Sequence, residues 1–427
     1  MSSRIAVIGT GYVGLTTGVC LAHLGHTVTC ADIDAHKVER LSRGEMPIVE
    51  AGLSDLLAEG LASGRLRFVV GAAAAVAECE IAFLCVPTPQ GDDGSADLSY
   101  IEAAAAEIAG VLPKGAIVVN KSTVPVGSTK VVERVLQRPD AHVVSNPEFL
   151  REGSALNDFL HPDRVVVGAD DRAAAERVAA LYASLGARTI VTDPASAETI
   201  KYAANAFLAT KLSFVNAIAA ICEGVGADIN DVVDGIGSDK RIGSAFLQPG
   251  PGWGGSCFPK DSRALVKIAE DAGYEFDLLS GVITVNAQQF DRVARKVADA
   301  AGGSLAGKTI AVWGLTFKAN TDDLRDSPSL EVVQRLLASG ARVVAHDPTV
   351  PTHRFGVPEG VDLVGSALDA CRNADALCVL TEWDAFRSVV AADAAAAMRG
   401  RGVVDARNLL DRGAWTAAGF AYQGIGR

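Results

Sequence analysis

The sequence predicts an α/β protein: two parallel-sheet domains joined by a central helical region that contains one long helix. Three observations predict it. Over residues 1–195 short, β-branched, fully apolar runs alternate with alanine-rich helical stretches. Strands apolar on both faces belong in a parallel sheet covered by helices on each side. From 196 to 300 the pattern is helical, and near 305 the strand–turn–helix alternation resumes. A length of 427 residues suits two or three domains.

Taken in order, the strand candidates of the first domain (1–195) are "RIAVIG", "TVTCAD", "LRFVVG", "IAFLCVP", "AIVVNKST", "HVVSNP" and "DRVVVGA". The central region (196–300) opens with "SAETIKYAANAFLATKLSFVNAIAAICEG", free of proline and of internal glycine, read as one helix capped by Ser196. "DINDVVDGIG", "KDSRALVKIAEDAG" and "LLSGVITVNAQQFDRVARKVADAAG" extend the helical text. The last domain (305–427) repeats the first architecturally, with "KTIAVWG", "ARVVAHD", "ALCVLTEW" and "GVVDARN" as strands.

Composition excludes several classes. Hydrophobic residues make up 49% and charged residues 21%, so the chain can build large cores. A net charge of −12 disfavours a broad grip on nucleic acid or anionic membrane. The most apolar stretch, 203–222, is interrupted by Asn205, Lys211 and Asn216, as suits a buried soluble helix. The start shows no secretory signal, and the protein reads as cytoplasmic. Eight cysteines form no CxxC pair and no zinc spacing, so no metal site is expected and most thiols read as small buried hydrophobes.

"IAVIGTGYVG" carries Gly9, Gly11 and Gly14 as G-x-G-x-x-G, with Tyr12 and Val13 between them. It follows a strand, opens a helix, and precedes a second strand ending at Asp32. In that context the glycines allow a tight turn, approach of a pyrophosphate, and helix–strand packing, which is the Rossmann-like arrangement. Asp32 would accept from a ribose hydroxyl and repel a 2′-phosphate, so NAD is the expected cofactor. The last domain has "WGLTFK" instead, which supports no second dinucleotide site. Lys318 and Arg325 there read as phosphate or carboxylate partners, or as solvated surface cations.

Lys201 and Asn205 share a face of the long apolar helix. They read as an oxyanion-stabilising pair, or Lys201 as a snorkelling lysine at the helix start. Glu148 and Glu152, four apart after a strand, read as acid/base carboxylates or a solvated face. Thr123 reads as a cofactor contact or a loop cap. In "GWGGSCFPKD", Cys257 sits among glycines with Lys260 and Asp261 just beyond. The glycines let a ligand approach the backbone, and a cation beside a thiol favours the reactive thiolate.

In this order "VIGTGYVG", "FLCVPTPQGDDGSADLSY", "NKSTVPVGST", "NPEFLREGSALND", "ETIKYAANAFLATKLSFVN", "DKRIG", "GWGGSCFPKD", "GLTFKANTDDLRDSP" and "VLTEW" resemble the UDP-glucose/GDP-mannose dehydrogenase family over nearly the whole chain. Two positions depart from the family pattern: Ser128 stands where threonine is common, and Trp253 where another aromatic is. The resemblance implies a four-electron oxidation of the C6 alcohol of a nucleotide-linked hexose to a carboxylate, with two NAD reduced. Overall likeness favours UDP-glucose. The same chemistry on GDP-mannose or UDP-N-acetylmannosamine, a two-electron hydroxyacid dehydrogenase, and a non-catalytic nucleotide-sugar binding module are the competing readings.

By the same resemblance Cys257 is the nucleophile. Lys201 and Asn205 stabilise the oxyanion and contact substrate, Asp261 assists Lys201 and a water, and Glu148 with Thr123 handles protons or water. Lys37, Thr88, Thr123, Glu152, Lys260 and Arg325 are implied cofactor contacts. Implied substrate contacts are Glu148, Phe149, Leu150, Arg151 and Glu152, then Phe246, Leu247, Gln248, Pro249 and Gly250, and Gly254 and Lys318. Arg241 matches an arginine that reaches a neighbouring subunit, which implies a homodimer or larger homo-oligomer with the long helix at its centre.

Overall fold

The computed structural model describes residues 2–91, 94–351 and 356–427. Asp92 and Asp93 of the "PQGDDGS" motif lie outside the described residues. The chain divides into two compact units. One comprises the residues up to Ala204 together with Arg263–Tyr274, and the other Asn205–Ser262 with Glu275–Arg427.

The first unit is built on a sheet of β1 (Arg4–Ile8), β2 (Thr27–Asp32), β3 (Leu66–Val70), β4 (Ile81–Leu84), β5 (Ile117–Asn120), β6 (His142–Ser145), β7 (Val165–Gly168) and β8 (Thr189–Thr192). Their order is β3-β2-β1-β4-β5-β6-β7-β8. Alternate residues of one strand feed two different cores. Ile5 and Val7 pack on one face with Leu15 and Val19 of the helix Tyr12–His23, and Ala6 and Ile8 on the other with Ile101 and Ala105. Burial on both faces is why these strands read as continuous apolar runs. The strand order reverses between β1 and β4, and the carboxyl ends of the strands at such a switch point form a crevice.

All seven strands read from the sequence are present, and one feature differs from the purely parallel expectation. β1 through β6 are parallel, but β7 meets β6 antiparallel at Ser145 and Gly168, and β8 runs parallel to β7. The intervening segment spends its length in a loop and the six-residue helix Ala155–Leu160. At 1.5 Å per residue that helix is too short to return the chain along the sheet for a parallel crossover. β8 escaped the sequence reading because "TIVT" is an edge strand, not buried at any of its four residues.

The second unit holds β9 (Thr309–Trp313), β10 (Arg342–His346), β11 (Val361–Leu363), β12 (Ala376–Val379), β13 (Gly402–Asp405) and β14 (Ala421–Gln423). They are all parallel in the order β11-β10-β9-β12-β13-β14. Again one strand serves two cores: Ala376 and Cys378 face one side, Leu377 and Val379 the other. β11 and β14 are three residues long, too short to show a period in sequence.

The long helix spans Pro194–Val225 and begins two residues before the expected start. Asp193, not Ser196, closes its N-terminus, accepting from the Ser196 amide at 2.8 Å and its hydroxyl at 2.7 Å. Pro194 at the first position costs no hydrogen bond there, and its fixed φ suits the helix. By length and composition this helix could cross a bilayer, yet Val215, Ala219 and Cys222 lie in the core of the second unit with Ile229, Phe290 and Val293. Phe207, Phe214, Ile221 and Val225 remain exposed along it, spaced seven, seven and four residues apart.

Candidate active site

The cofactor loop follows β1 at the switch point. Gly9 has φ +93°, and a Cβ there would stand 2.6 Å from the Cys85 carbonyl oxygen. At Gly14 a Cβ would meet the Gly9 carbonyl oxygen at 1.9 Å. Gly11 differs: a Cβ would meet nothing within 4 Å, so this backbone faces open space. The helix Tyr12–His23 starts here with no side-chain cap, leaving its first amides available to an anion. Val13 packs on the core and Tyr12 turns its hydroxyl to Glu50 and the Gly153 amide.

Asp32 ends β2 beside this loop. It accepts from the Thr10 amide at 3.0 Å, the Thr10 hydroxyl at 2.5 Å and Lys37 Nζ at 3.0 Å. Burial alone would raise its pKa. The Thr10 hydroxyl, the Asp34 amide and Lys37 outweigh that and bring it to about 2. The carboxylate is therefore ionised and part-exposed, the state a ribose hydroxyl needs. Thr88 and Thr123, from the loops after β4 and β5, are joined by the Thr88 hydroxyl donating to the Thr123 carbonyl at 2.9 Å. Uncapped helix amides, an open Gly11 and an anionic Asp32 fit a dinucleotide.

Lys201 is 3% exposed, so it does not snorkel. Its Nζ donates to Glu148 Oε1 at 2.9 Å, both side chains being buried. The Leu150 amide donates to the other Glu148 oxygen at 2.5 Å. Burial pushes the Glu148 carboxyl up, but the charge and hydrogen bond of Lys201, the Leu150 amide and Lys121 together hold it below the ordinary carboxylate range. Phe149 lies under two cations, Lys201 Nζ at 5.4 Å and the Arg164 guanidinium at 3.6 Å from its centroid. No helix runs through residues 146–152, so Glu148 and Glu152 share no helical face; Glu152 lies in a turn and Arg151 is paired to Asp158.

In the second unit, Asn205 donates from Nδ2 to Asp261 Oδ2 at 2.6 Å, and Lys260 Nζ donates to Asp261 Oδ1 at 2.5 Å. Asp261 is 1% exposed, so its charge is answered by Lys260 on one side and the amide on the other. Cys257 sits just before the helix Phe258–Asp271, its carbonyl accepting from the Asp261 amide at 2.9 Å. Seven cysteines are buried; Cys257 is part-exposed. The glycines before it are close-packed rather than loose. A Cβ on Gly254 would stand 1.9 Å from the Asp326 carbonyl oxygen, and one on Gly255, at φ +83°, 2.8 Å from the Phe317 ring. The Gly255 amide donates to that same Asp326 carbonyl at 3.2 Å. Trp253 is buried, held by Ser213 and Asn286 at 2.8 Å each.

Residues 246–250 form a loop on the same unit. Phe246 has φ +61° and packs on Phe258 at 6.3 Å; Leu247 and Gly250 are buried, while Gln248 is exposed and Pro249 part-exposed. Gly250 is gripped by Asn216 and Gln289 at 2.8 Å each. Lys318 Nζ lies 5.3 Å from the Phe317 ring centroid. Arg241 and Arg325 are exposed, each forked onto an aspartate two residues earlier, Asp239 and Asp323.

Four groups near these residues were not read from the sequence. Thr10 fixes Asp32, Lys121 enters the Glu148 cluster, and Arg164 stacks on Phe149. Arg407 pairs with Glu382 at 3.0 Å and donates to the Phe317 and Leu380 carbonyls beside Gly250. "GTG" and "NKST" carried signals for the first two; the arginines flank the strands "DRVVVGA" and "GVVDARN", whose text gave no signal for them.

The fold and the cofactor loop define an NAD-dependent dehydrogenase with an added α/β domain. Models of the UDP-glucose/GDP-mannose dehydrogenase family match its NAD binding domain at residues 3–186, its central domain at 195–288 and its UDP binding domain at 311–412. A UDP-glucose 6-dehydrogenase from Rhizobium meliloti (strain 1021) is 47% identical, over 99% of this chain and 99% of its own. The structure of a UDP-glucose dehydrogenase from Pyrobaculum islandicum superposes with a TM-score of 0.90 at 39% identity, covering 97% of this chain and 98% of its own. That of a UDP-D-ManNAc dehydrogenase from Pyrococcus horikoshii gives 0.88 at 28% identity, covering 99% of each. The chain belongs to the UDP-glucose/GDP-mannose dehydrogenase family.

Replacing Glu148 by Gln leaves the Lys201 ammonium buried without its counter-charge. The expected loss is about 3–5 kcal/mol in urea unfolding, most of it recovered in Glu148→Gln/Lys201→Met. Because Glu148 is held below its ordinary value of about 4.5, its contribution is full above that pH and is lost as pH falls through the folded value. Stability of Glu148→Gln should therefore fall less steeply than wild type below about pH 4.5.

Proposed function

We propose that the protein oxidises UDP-glucose at C6 to UDP-glucuronate in two successive two-electron steps, and that it acts as a cytoplasmic homo-oligomer. The observation that carries this reading is Cys257: a part-exposed thiol, among seven buried ones, at the start of a fourteen-residue helix in a close-packed glycine loop. A simple alcohol dehydrogenase has no use for it. Its position at a helix N-terminus favours anionic sulfur.

The chemistry assigns each group a task. When bound, NAD⁺ accepts one hydride in each oxidation, two molecules being reduced per sugar. In the first, the C6 hydroxyl loses its proton and C6 its hydride, giving the aldehyde. Lys201, with Asn205, stabilises the developing alkoxide. The Cys257 thiolate then adds to the aldehyde carbon and the oxygen takes a proton, forming a thiohemiacetal. That adduct carries a hydride the bare aldehyde could not give up, and losing it with the hydroxyl proton yields a thioester. Water adds to the thioester carbon, the C–S bond breaks, and the carboxylate leaves with Cys257 returned as thiol. Glu148 and Asp261 are the carboxylates assigned to orient water and move protons, with Thr123 as a further candidate. The uracil nucleotide is assigned to the last domain, the substrate contacts are those the resemblance implies, Glu148–Glu152, Phe246–Gly250, Gly254 and Lys318, and the remaining cofactor contacts are those read from the sequence.

The exposed stripe of Phe207, Phe214, Ile221 and Val225 supports the oligomer, because a seven-residue apolar spacing on one helix suits packing against a second copy. Arg241, exposed and paired with the neighbouring Asp239, is then at the surface from which it would reach across.

Three outcomes are expected. Counting NADH per sugar consumed should give two with UDP-glucose; one, or no turnover with any UDP- or GDP-linked hexose, sinks the reading. Turnover of only GDP-mannose or UDP-N-acetylmannosamine would keep the mechanism and change the substrate. Cys257→Ser should bind NAD normally while acid release falls roughly 10³-fold or more; full turnover refutes the thioester. Phe214→Asp should lower the mass measured by light scattering to that of a smaller species, and an unchanged mass removes the helix stripe from the interface.

A further inference from the structure

Lys121 is a buried charge that the proposed chemistry does not use. It follows β5 directly, is 5% exposed, and anchors its own amide on the Leu84 carbonyl of β4 at 3.0 Å. Its Nζ donates to Asn146 Oδ1 at 3.1 Å and to the Tyr182 hydroxyl at 3.4 Å. Tyr182 in turn donates to Asn146 Oδ1 at 2.8 Å. Asn146 donates from Nδ2 to the Val166 carbonyl at 2.7 Å and from its backbone to the Asn120 carbonyl at 2.9 Å. Asn146 is thus fixed by groups from β5, β7 and the segment carrying Tyr182. It stands two residues before Glu148, separated from it only by the rigid Pro147.

We propose that Lys121 is a positioning residue for the Glu148–Lys201 pair: it clamps Asn146, and with it the backbone that presents Glu148, and its charge biases the pair toward anionic Glu148. The electrostatics agree with the geometry. The titratable groups facing Lys121 are Cys85 beyond β4, Tyr182, Glu148 and Lys201. Burial raises the Cys85 thiol to about 12 and pushes the Tyr182 phenol up as well, so both stay neutral. The charges left are two lysines around one glutamate. A lysine in that setting resists protonation: burial is the largest influence and lowers Lys121, the Lys201 charge adds to the fall, the Glu148 carboxylate opposes it, and the result is about 8. Lys121 therefore carries its charge below about pH 8 and loses it above, and with it goes part of the positive potential that favours a developing alkoxide near Lys201.

This rests on the reading of Glu148 and Lys201 as working groups, and one set of variants separates the two claims. Lys121→Met should bind NAD as wild type does, keep KM for UDP-glucose within about twofold, and lose about tenfold in kcat at pH 7. It should also lack the kcat limb that wild type shows near pH 8, and Lys121→Arg, permanently charged, should restore kcat while still lacking that limb. Lys121→Gln, which keeps a hydrogen bond without the charge, reads the same quantity if the methionine variant does not fold. If neither folds, a wild-type kcat profile without a limb near pH 8 overturns the proposal. A merely structural role predicts lowered thermal stability with kcat and the pH profile unmoved, and that result also overturns it. Lys201→Met turning over normally sinks the underlying site reading; Lys201→Met inactive beside an unaffected Lys121→Met sinks only the role of Lys121.

Discussion

A charge taken out of water must be answered, and the long helix takes Lys201 out of water. The rest of the first unit's site follows from answering it. Glu148 has to be delivered to Nζ from the end of β6, and a carboxylate so deep must satisfy its second oxygen, which the Leu150 amide does. The chain after Pro147 runs as a loop rather than a helix, and Phe149 on that loop lies beneath the ammonium. One turn later on the helix, in the second unit, the problem recurs with the signs exchanged. There the buried charge is Asp261, answered by Lys260 and by the amide of Asn205. The helix thus carries a cation and an amide whose partners, each within its own unit, are both buried carboxylates.

The same constraint explains why one cysteine of eight stands apart. Cys85 lies near the cofactor loop and feels the Lys121 charge in the same unit, yet burial raises its thiol to about 12, so its sulfur stays a packing group. Cys257 escapes this because its backbone, not its side chain, fills the space. Gly254 and Gly255 bring the main chain against Asp326 and Phe317 where no Cβ fits, and the helix then starts directly after the sulfur. Close packing of backbone leaves the thiol partly open at the end of a helix dipole, which is the environment a nucleophile needs.

Much of this was legible in the sequence, for reasons that can be named. Fully apolar strands announced both sheets, since burial on two faces leaves no polar alternation. Gly9, Gly11 and Gly14 could be sorted by role because their context fixed what each must avoid. Lys201 was conspicuous as a cation in an apolar helix, but its partner was not, since 53 residues separate it from Glu148, which the four-residue spacing had set beside Glu152. The inversion of β7 and β8 was hidden because strand direction depends on how far a loop travels, which composition does not encode. Asp193 outcompeted Ser196 as cap because Pro194 favours the first helical position, a preference visible only once the start is shifted by two residues. Arg164 and Arg407 belong to no motif; their roles arise from strand ends that the sheet alone brings close.

The two sheets also show how one architecture can be kept while its ligand logic is changed. In the first, Ile8 pairs with Ala31, the Gly9 amide donates to the Ala31 carbonyl at 2.8 Å, and the Thr10 amide and hydroxyl hold Asp32. In the second, Trp313 pairs with His346, the Gly314 amide donates to the His346 carbonyl at 2.9 Å, and Leu315 and Thr316 hold Asp347. The carboxylates occupy equivalent registers. Asp32 keeps an exposed edge and a lysine, so it can still receive a hydroxyl. Asp347 is 2% exposed, its Oδ2 taken by two amides, the Thr316 hydroxyl and the Trp383 indole, and its Oδ1 by Thr349. Trp383, from the loop after β12, is buried against Asp347 and Thr316. An acceptor so fully committed has nothing left for a ribose. The second domain therefore retains the strand-end turn as scaffolding and must recognise its nucleotide by other groups, which leaves the dinucleotide to the first domain alone.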